Sequence, residues 1–176
     1  MLDPTAHATG TSRGLRAQRP DIRLHISLGN SKEVFKALRA YEVEIGIFGS
    51  QLDPDDLTMV NLGLSPIIAI AGPGAFSAPP DSITISALAD FPLIFRERGS
   101  ETQARVMEAA RQAVVKLEAK IIAEGREAVR DLVAEGFGIG FVAESEIGSD
   151  IRLSRMRLEG GQPINARNAG PFVSTT

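Results

Sequence analysis

The chain has 176 residues, 43% hydrophobic and 23% charged, with a net charge of −3. That balance is ordinary for a soluble globular protein, and the length suits one domain or two small lobes. A mildly acidic chain without clustered Lys and Arg argues against a nucleic-acid grip of its own. The lack of any cysteine excludes a disulfide framework, a thiol nucleophile and a Cys-based metal site.

Residues 1–19 are polar and rich in Gly, Thr and Ala, and read as a loose arm or a short helix around Leu15. They hold no apolar core of the kind a signal peptide needs. No apolar run approaches the ~20 residues of a membrane span. The expectation is a soluble, cytoplasmic protein with no membrane partner. Ile22, Leu24, Ile26 and Leu28 alternate with polar residues and predict a strand. GNSKEVFKAL then opens a helix over 31–41: Asn30 can cap and Glu33 can reach back. Val34, Phe35 and Leu38 share one face of it. EIGIFG, 44–49, predicts its partner strand. Residues 50–64 read as a connection with an acidic turn, DPDD at 53–56.

PIIAIAG, 66–72, predicts a strand, and GPGAFSAPPDS a Pro/Gly loop. ISALADFP suggests a short helix and PLIFRE, 92–97, a strand. Ser100 and Gln103 form a capping-box pair for a helix from 101 to about 117, with Val106, Ala109, Ala110, Ala113, Val114 and Leu117 as its buried stripe. A strand at 118–123 follows, then a helix at 126–135 closed by Gly136, then a strand at 138–144. The final GGQPINARNAGPFVSTT lacks apolar periodicity and reads as a disordered tail. Alternating strands and helices predict an α/β class with a largely parallel sheet.

The chain also echoes itself. SKEVFKALRAYEVEIGI (31–47) aligns with GREAVRDLVAEGFGIGF (125–141), with Glu33/Glu127, Leu38/Leu132, Ala40/Ala134, Ile45/Ile139 and Gly46/Gly140 identical. Any two amphipathic helix–strand units look somewhat alike. The other reading is two lobes, each built around one such unit, with a ligand cleft between them where helix N-termini point.

The residues carry a resemblance. RPDIRLHISLGNSKEVFKALRAYEVEIGIFG resembles the first lobe of the effector-binding domain of LysR-type transcriptional regulators. SALADFPLIFRERGSETQARVMEAA is similar to the start of the second lobe, and REAVRDLVAEGFGIGFVAESEIG to the return crossing. The resemblance covers about residues 15–157. GNSKEV, RERGS and GREAV look most like the regulators associated with phosphonate use, although Arg98 stands where that group would carry a proline. The resemblance implies a two-lobed fold like a type 2 periplasmic binding protein. It divides the chain into an arm at 1–19, lobe I at 20–72, lobe II at 73–140, a return strand at 141–158 and a tail at 159–176. It implies a small-molecule effector, a carboxylate or phosphonate-like anion, and no cofactor. Pairing as a homodimer or higher oligomer through the helices at 31–41 and 103–117 is implied too, with DNA contacted only through an N-terminal helix-turn-helix that this sequence lacks. The chain reads as truncated at both ends.

Carried over by position, the resemblance nominates ten ligand-binding residues: Asn30, Ser31, Gly49, Ser50, Arg96, Glu97, Gly99, Ser100, Thr102 and Arg126. Each has a plainer reading. Asn30 can be a helix cap worth ~1 kcal/mol. Gly49 and Ser50 can form a hinge. Arg96 offers a fork suited to carboxylate or phosphonate, or it can pair with Glu97. Arg126 can be a solvated helix residue, and Phe137 can wall the cleft or pack under a strand.

Catalysis finds little support. His7 and His25 are the only histidines, no Gly-x-Ser-x-Gly elbow exists, and DPDD lacks metal-loop spacing. The expectation is an effector-sensing domain, not an enzyme, with no catalytic residue and no metal. A free-standing solute-binding receptor of the same fold is the alternative. An enzyme on this fold would need a catalytic acid or base in the cleft.

Overall fold

The computed structural model describes residues 17–49, 57–159 and 164–172. In chain order these form α1 (Ser31–Arg39), β1 (Phe48–Gly49), β2 (Thr58–Ala71), β3 (Ser82–Thr84), β4 (Leu93–Arg96), α2 (Glu101–Gln112), β5 (Ala119–Ala123), α3 (Arg126–Ala134), β6 (Ile139–Ala143), β7 (Ser154–Glu159) and β8 (Asn165–Phe172). Short 3-10 turns lie at Ala87–Asp90 and Glu144–Glu146.

The apolar run at 67–71 explains the centre of the molecule. A strand covered on both faces cannot alternate with polar residues, so it reads as continuous hydrophobics. Ile67, Ala69 and Ala71 join Leu93, Phe95, Ile139, Phe141 and Met156 on one face, against Val106 and Ala110 of α2. Ile68 and Ile70 turn the other way, with Ile94 and Val142, against Val129 and Val133 of α3. Burying each such aliphatic side chain stabilises the fold by about 1.5–3 kcal/mol.

The sheet runs β1-β8-β2-β6-β4-β5, with β7 beside β2 and β3 beside β7. The α/β class is present, but the sheet is mixed. Pairs β4–β5, β4–β6 and β3–β7 are parallel. Every pair made by β2, and the pair β1–β8, is antiparallel. Strand β2 is long because it serves two neighbourhoods: 58–66 pair with β8, and 67–71 with β6 and β7.

Helices α1, α2 and α3 end in the same way. The N–H of Tyr41 bonds Leu38 O and that of Glu42 bonds Ala37 O. Val114 and Val115 repeat this on Arg111 and Ala110, as do Gly136 and Phe137 on Val133 and Leu132. Each is a Schellman ending, which needs a left-handed residue after the cap. Tyr41 (φ 56°), Val114 (φ 57°) and Gly136 (φ 79°) supply it.

Several expectations are corrected. Residues 22–28 form no strand and pair with none among the described residues, and Ile22, Leu24, Ile26 and Leu28 are exposed. Alternation signals a surface to be covered and cannot supply the neighbour that makes a ladder. Of 44–49, Phe48–Gly49 forms a strand and Ile45 makes an isolated bridge. The second part of the 50–64 connection belongs to β2 from Thr58 on. Helix α2 stops at Gln112, so Ala113 and Val114 are exposed instead of buried, while Leu117 is buried beyond the helix. Strand β7 stays with β2 and β3, and the strand that reaches back to β1 is β8. β8 lies in the expected disordered tail; the free edge of β2 organises it through backbone hydrogen bonds, which no apolar pattern announces. Residues 1–16 and the DPDD turn lie outside the described residues.

Candidate functional site

Three helix starts converge. Asn30 begins α1 with a full capping box: its Oδ1 accepts from Glu33 N at 3.1 Å, and Glu33 Oε2 accepts from Asn30 N at 2.9 Å. Ser100 begins α2, its Oγ accepting from Gln103 N at 3.3 Å. The reciprocal half of that expected box is missing. Gln103 Oε1 accepts from Arg96 N at 3.2 Å instead, and Ser100 N donates to Glu97 O. This ties the end of β4 to the start of α2. Gly125 begins α3 with φ 80° and ψ 156°, a conformation that only glycine adopts readily, and offers no side-chain cap.

Between these starts and the C-terminal ends of β1, β4 and β6 lies a cavity of about 90 Å³. That is well below the ~300–1,000 Å³ of drug-sized pockets, so it suits a ligand of few atoms. Seven of the ten nominated residues line it: Asn30, Ser31, Gly49, Arg96, Ser100, Thr102 and Arg126. Ser50 lies outside the described residues. Glu97 and Gly99 are not in the wall, and each acts behind it. A Cβ on Gly99 (φ 102°) would come within 2.8 Å of Asn30 Oδ1, so the turn before α2 and the start of α1 touch at a glycine. Glu97 grips the Arg96 guanidinium in a two-point pair, Nε to Oε2 at 3.0 Å and Nη2 to Oε1 at 2.8 Å. It also accepts from Gly125 N at 3.1 Å, which fastens the start of α3 to β4. Both readings of Arg96 therefore coexist: it lines the cavity and it pairs with Glu97. Phe137 neither walls the cavity nor packs under a strand; it is 55% exposed.

Arg126 is not a solvated helix residue. Its side chain is 20% exposed, with Nη1 on Glu146 Oε1 at 2.9 Å and Nε on Glu127 Oε1 at 3.0 Å. Burial alone would lower its pKa; the charges of Glu146 and Glu127 outweigh that and raise it. Burial likewise pushes the Glu97 carboxyl up, but the hydrogen bonds from Arg96 and Gly125 N prevail and hold it below the ordinary value of 4.5. The cavity thus joins oriented backbone N–H groups at two capped helix starts with two guanidinium groups, an arrangement suited to a small anion. Sequence reasoning missed Glu101, Ala143 and Glu146 in the wall. ESE at 144–146 follows the apolar run GIGFVA as GNS and RGS follow theirs, and that parallel was the available signal. No group of three or more His, Asp or Glu placed to hold a metal occurs among the described residues.

A family model for the LysR substrate binding domain matches residues 5–169. The chain belongs to this family. The LysR match agrees with the solved regulatory domain of Synechocystis PCC6803 CcmR in complex with 2-PG, which superposes with a TM-score of 0.82 at 19% identity, covering 98% of this chain and 84% of that one. The fold is therefore that of a LysR effector-binding domain, the type 2 periplasmic-binding-protein-like class. By sequence, a phosphonates import ATP-binding protein, PhnC, of Anaeromyxobacter dehalogenans is 30% identical over 151 residues, 80% of this chain and 29% of that protein. The HTH-type transcriptional regulator CbbR of Rhizobium meliloti is 24% identical over 144 residues, 80% of this chain and 45% of CbbR. The chain thus spans less than half of either protein. The LysR family is one of transcriptional regulators, not of enzymes. No helix among the described residues is long and apolar enough to cross a membrane.

Proposed function

We propose that this LysR substrate-binding domain senses a small organic anion, a carboxylate or a phosphonate, held in the cavity between the starts of α1, α2 and α3. The observation that carries the reading is the meeting of Arg96, Arg126 and two capped helix N-termini on one small cavity. Asn30, Ser31, Gly49, Ser50, Arg96, Ser100, Thr102 and Arg126 are the contact residues, and Glu97 and Gly99 support them. The CcmR regulatory domain, which has this fold, holds 2-PG, and that supports a small effector here. Residues 20–72 and 73–140 act as the two lobes. The ligand draws them together, and it shifts that equilibrium only by its differential affinity for the two arrangements.

In the whole regulator, the change passes to DNA-binding parts outside this chain, in a cytoplasmic homodimer built through α1 and α2. The domain binds its effector without turning it over. A thermal-shift screen of carboxylates and phosphonates tests the reading, because a ligand of the native state raises the midpoint by mass action. Ser100→Ala and Arg96→Ala are expected to weaken binding of any hit about tenfold each, as lost charge-assisted hydrogen bonds do. Unchanged calorimetric affinity in both variants would remove the site assignment.

A further inference from the structure

The inference drawn here rests on the organic-anion reading and concerns which charge the cavity admits. Its cations are already engaged. Glu97 takes Nε and Nη2 of Arg96, while Glu127 and Glu146 take Nε and Nη1 of Arg126. Among the described residues, one guanidinium nitrogen of each arginine has no protein acceptor: Nη1 of Arg96 and Nη2 of Arg126. Two carboxylates also stand in the wall itself, Glu101 and Glu146. Glu101 is held by Arg105 at 2.9 Å from within its own helix.

Glu146 differs. It reaches the cavity from the turn after β6 with a side chain only 17% exposed, and its single bond to Arg126 uses Oε1. Oε2 has no donor among the described residues. A ligand with one negative charge can share the two free guanidinium N–H groups. A second charge would find no further cation in the cavity wall and would face the largely buried Glu146 carboxylate, where like charges repel. A hydroxyl on the ligand would instead donate to Glu146 Oε2.

We propose that Glu146 is a charge-selecting residue, which makes the cavity a site for monoanionic hydroxycarboxylates and rejects dianions. Phosphonates in their doubly ionised form fall on the rejected side.

Calorimetric titrations of the wild type and of Glu146→Gln test this with two probe sets at about pH 9, where the second set is doubly charged. The first set is glycolate, lactate and glycerate; the second is malonate, sulfate and methylphosphonate. The wild type is expected to bind a member of the first set at least about tenfold more tightly than any of the second. Glu146→Gln keeps the acceptor and removes the charge, so the ratio should move about tenfold or more toward the dianions. A wild type that prefers a dianion overturns the proposal, whether or not the variant folds. So does a Glu146→Gln variant with an unchanged ratio. If no probe of either set binds either protein, the organic-anion reading itself fails, and the charge selection falls with it.

Discussion

Helix α1 buries one side chain, Leu38, whereas α3 buries Val129, Val133 and Ala134. Yet the two helices belong to segments that echo each other along the sequence. In both, the helix lies on a glycine in the stretch that follows it. A Cβ on Gly46 would meet Leu38 Cδ1 and Val34 Cγ1 at 2.7 Å; one on Gly140 would meet Val129 Cγ1 at 2.6 Å and Val133 Cγ2 at 2.9 Å. This shared contact explains why glycine recurs at both positions. The difference lies in the neighbours. Gly140 is on β6, paired with β2 along five residues, while Gly46 precedes a two-residue strand. Equal local patterns reach unequal burial because a sheet, not a helix, supplies the second wall.

The largest expected effect tests that contrast directly. Gly140→Ala should destabilise the domain by about 2–3 kcal/mol in urea denaturation, because its contacts cannot yield. Gly46→Ala should cost about 1 kcal/mol, since Leu38 Cδ1 and the half-exposed Val34 can shift. Equal costs would break the comparison.

The helix endings sharpen it next. Gly136 closes α3 at no steric cost, but Val114 and Tyr41 hold the same left-handed position in α2 and α1. Val114→Gly and Tyr41→Gly should each stabilise the fold by about 1 kcal/mol, with valine gaining more because it is β-branched. A lowered thermal midpoint in both would show that the turns do not bear this strain.

The helix beginnings come third. Asn30→Ala removes the capping box and should cost about 1 kcal/mol. In contrast, Gly125→Asn supplies a capping side chain and should still destabilise, because its backbone conformation disfavours any side chain. A stabilised Gly125→Asn would mean that capping, not backbone conformation, limits the start of α3.

The smallest effect is one of pH. Among the described helices, α3 alone has its start fastened by a carboxylate from another segment, Glu97 after β4, on Gly125 N. The Glu97 pKa is lowered in the folded state, so its contribution is complete above the ordinary value of 4.5 and disappears as pH falls through the folded value. Thermal midpoints measured from neutral to acid pH should fall less for Glu97→Gln than for the wild type. Parallel curves would deny Glu97 this role.

Much of this protein was legible in its residues. Asn30 with Glu33, Ser100 before α2 and Gly136 after α3 are local signals, and each helix starts or stops where its own backbone needs a cap. The apolar runs at 67–71, 93–95 and 139–143 exceed what a half-buried strand requires, so they marked the centre of the sheet. Seven of the nominated residues line one cavity because strand ends and helix starts are adjacent along the chain as well as in space.

Tertiary structure alone decided the rest. Strand β8 forms because β2 offers an edge about a hundred residues earlier in the chain. Among the described residues, the alternating stretch at 22–28 joins no ladder. Gln103 leaves its own helix cap for the backbone of Arg96, and Glu146 meets Arg126 from twenty residues away. Caps and periodicity act within a few residues and are written locally. Strand pairing and ion pairing depend on which distant backbone or charge is brought near, and only the folded chain settles that.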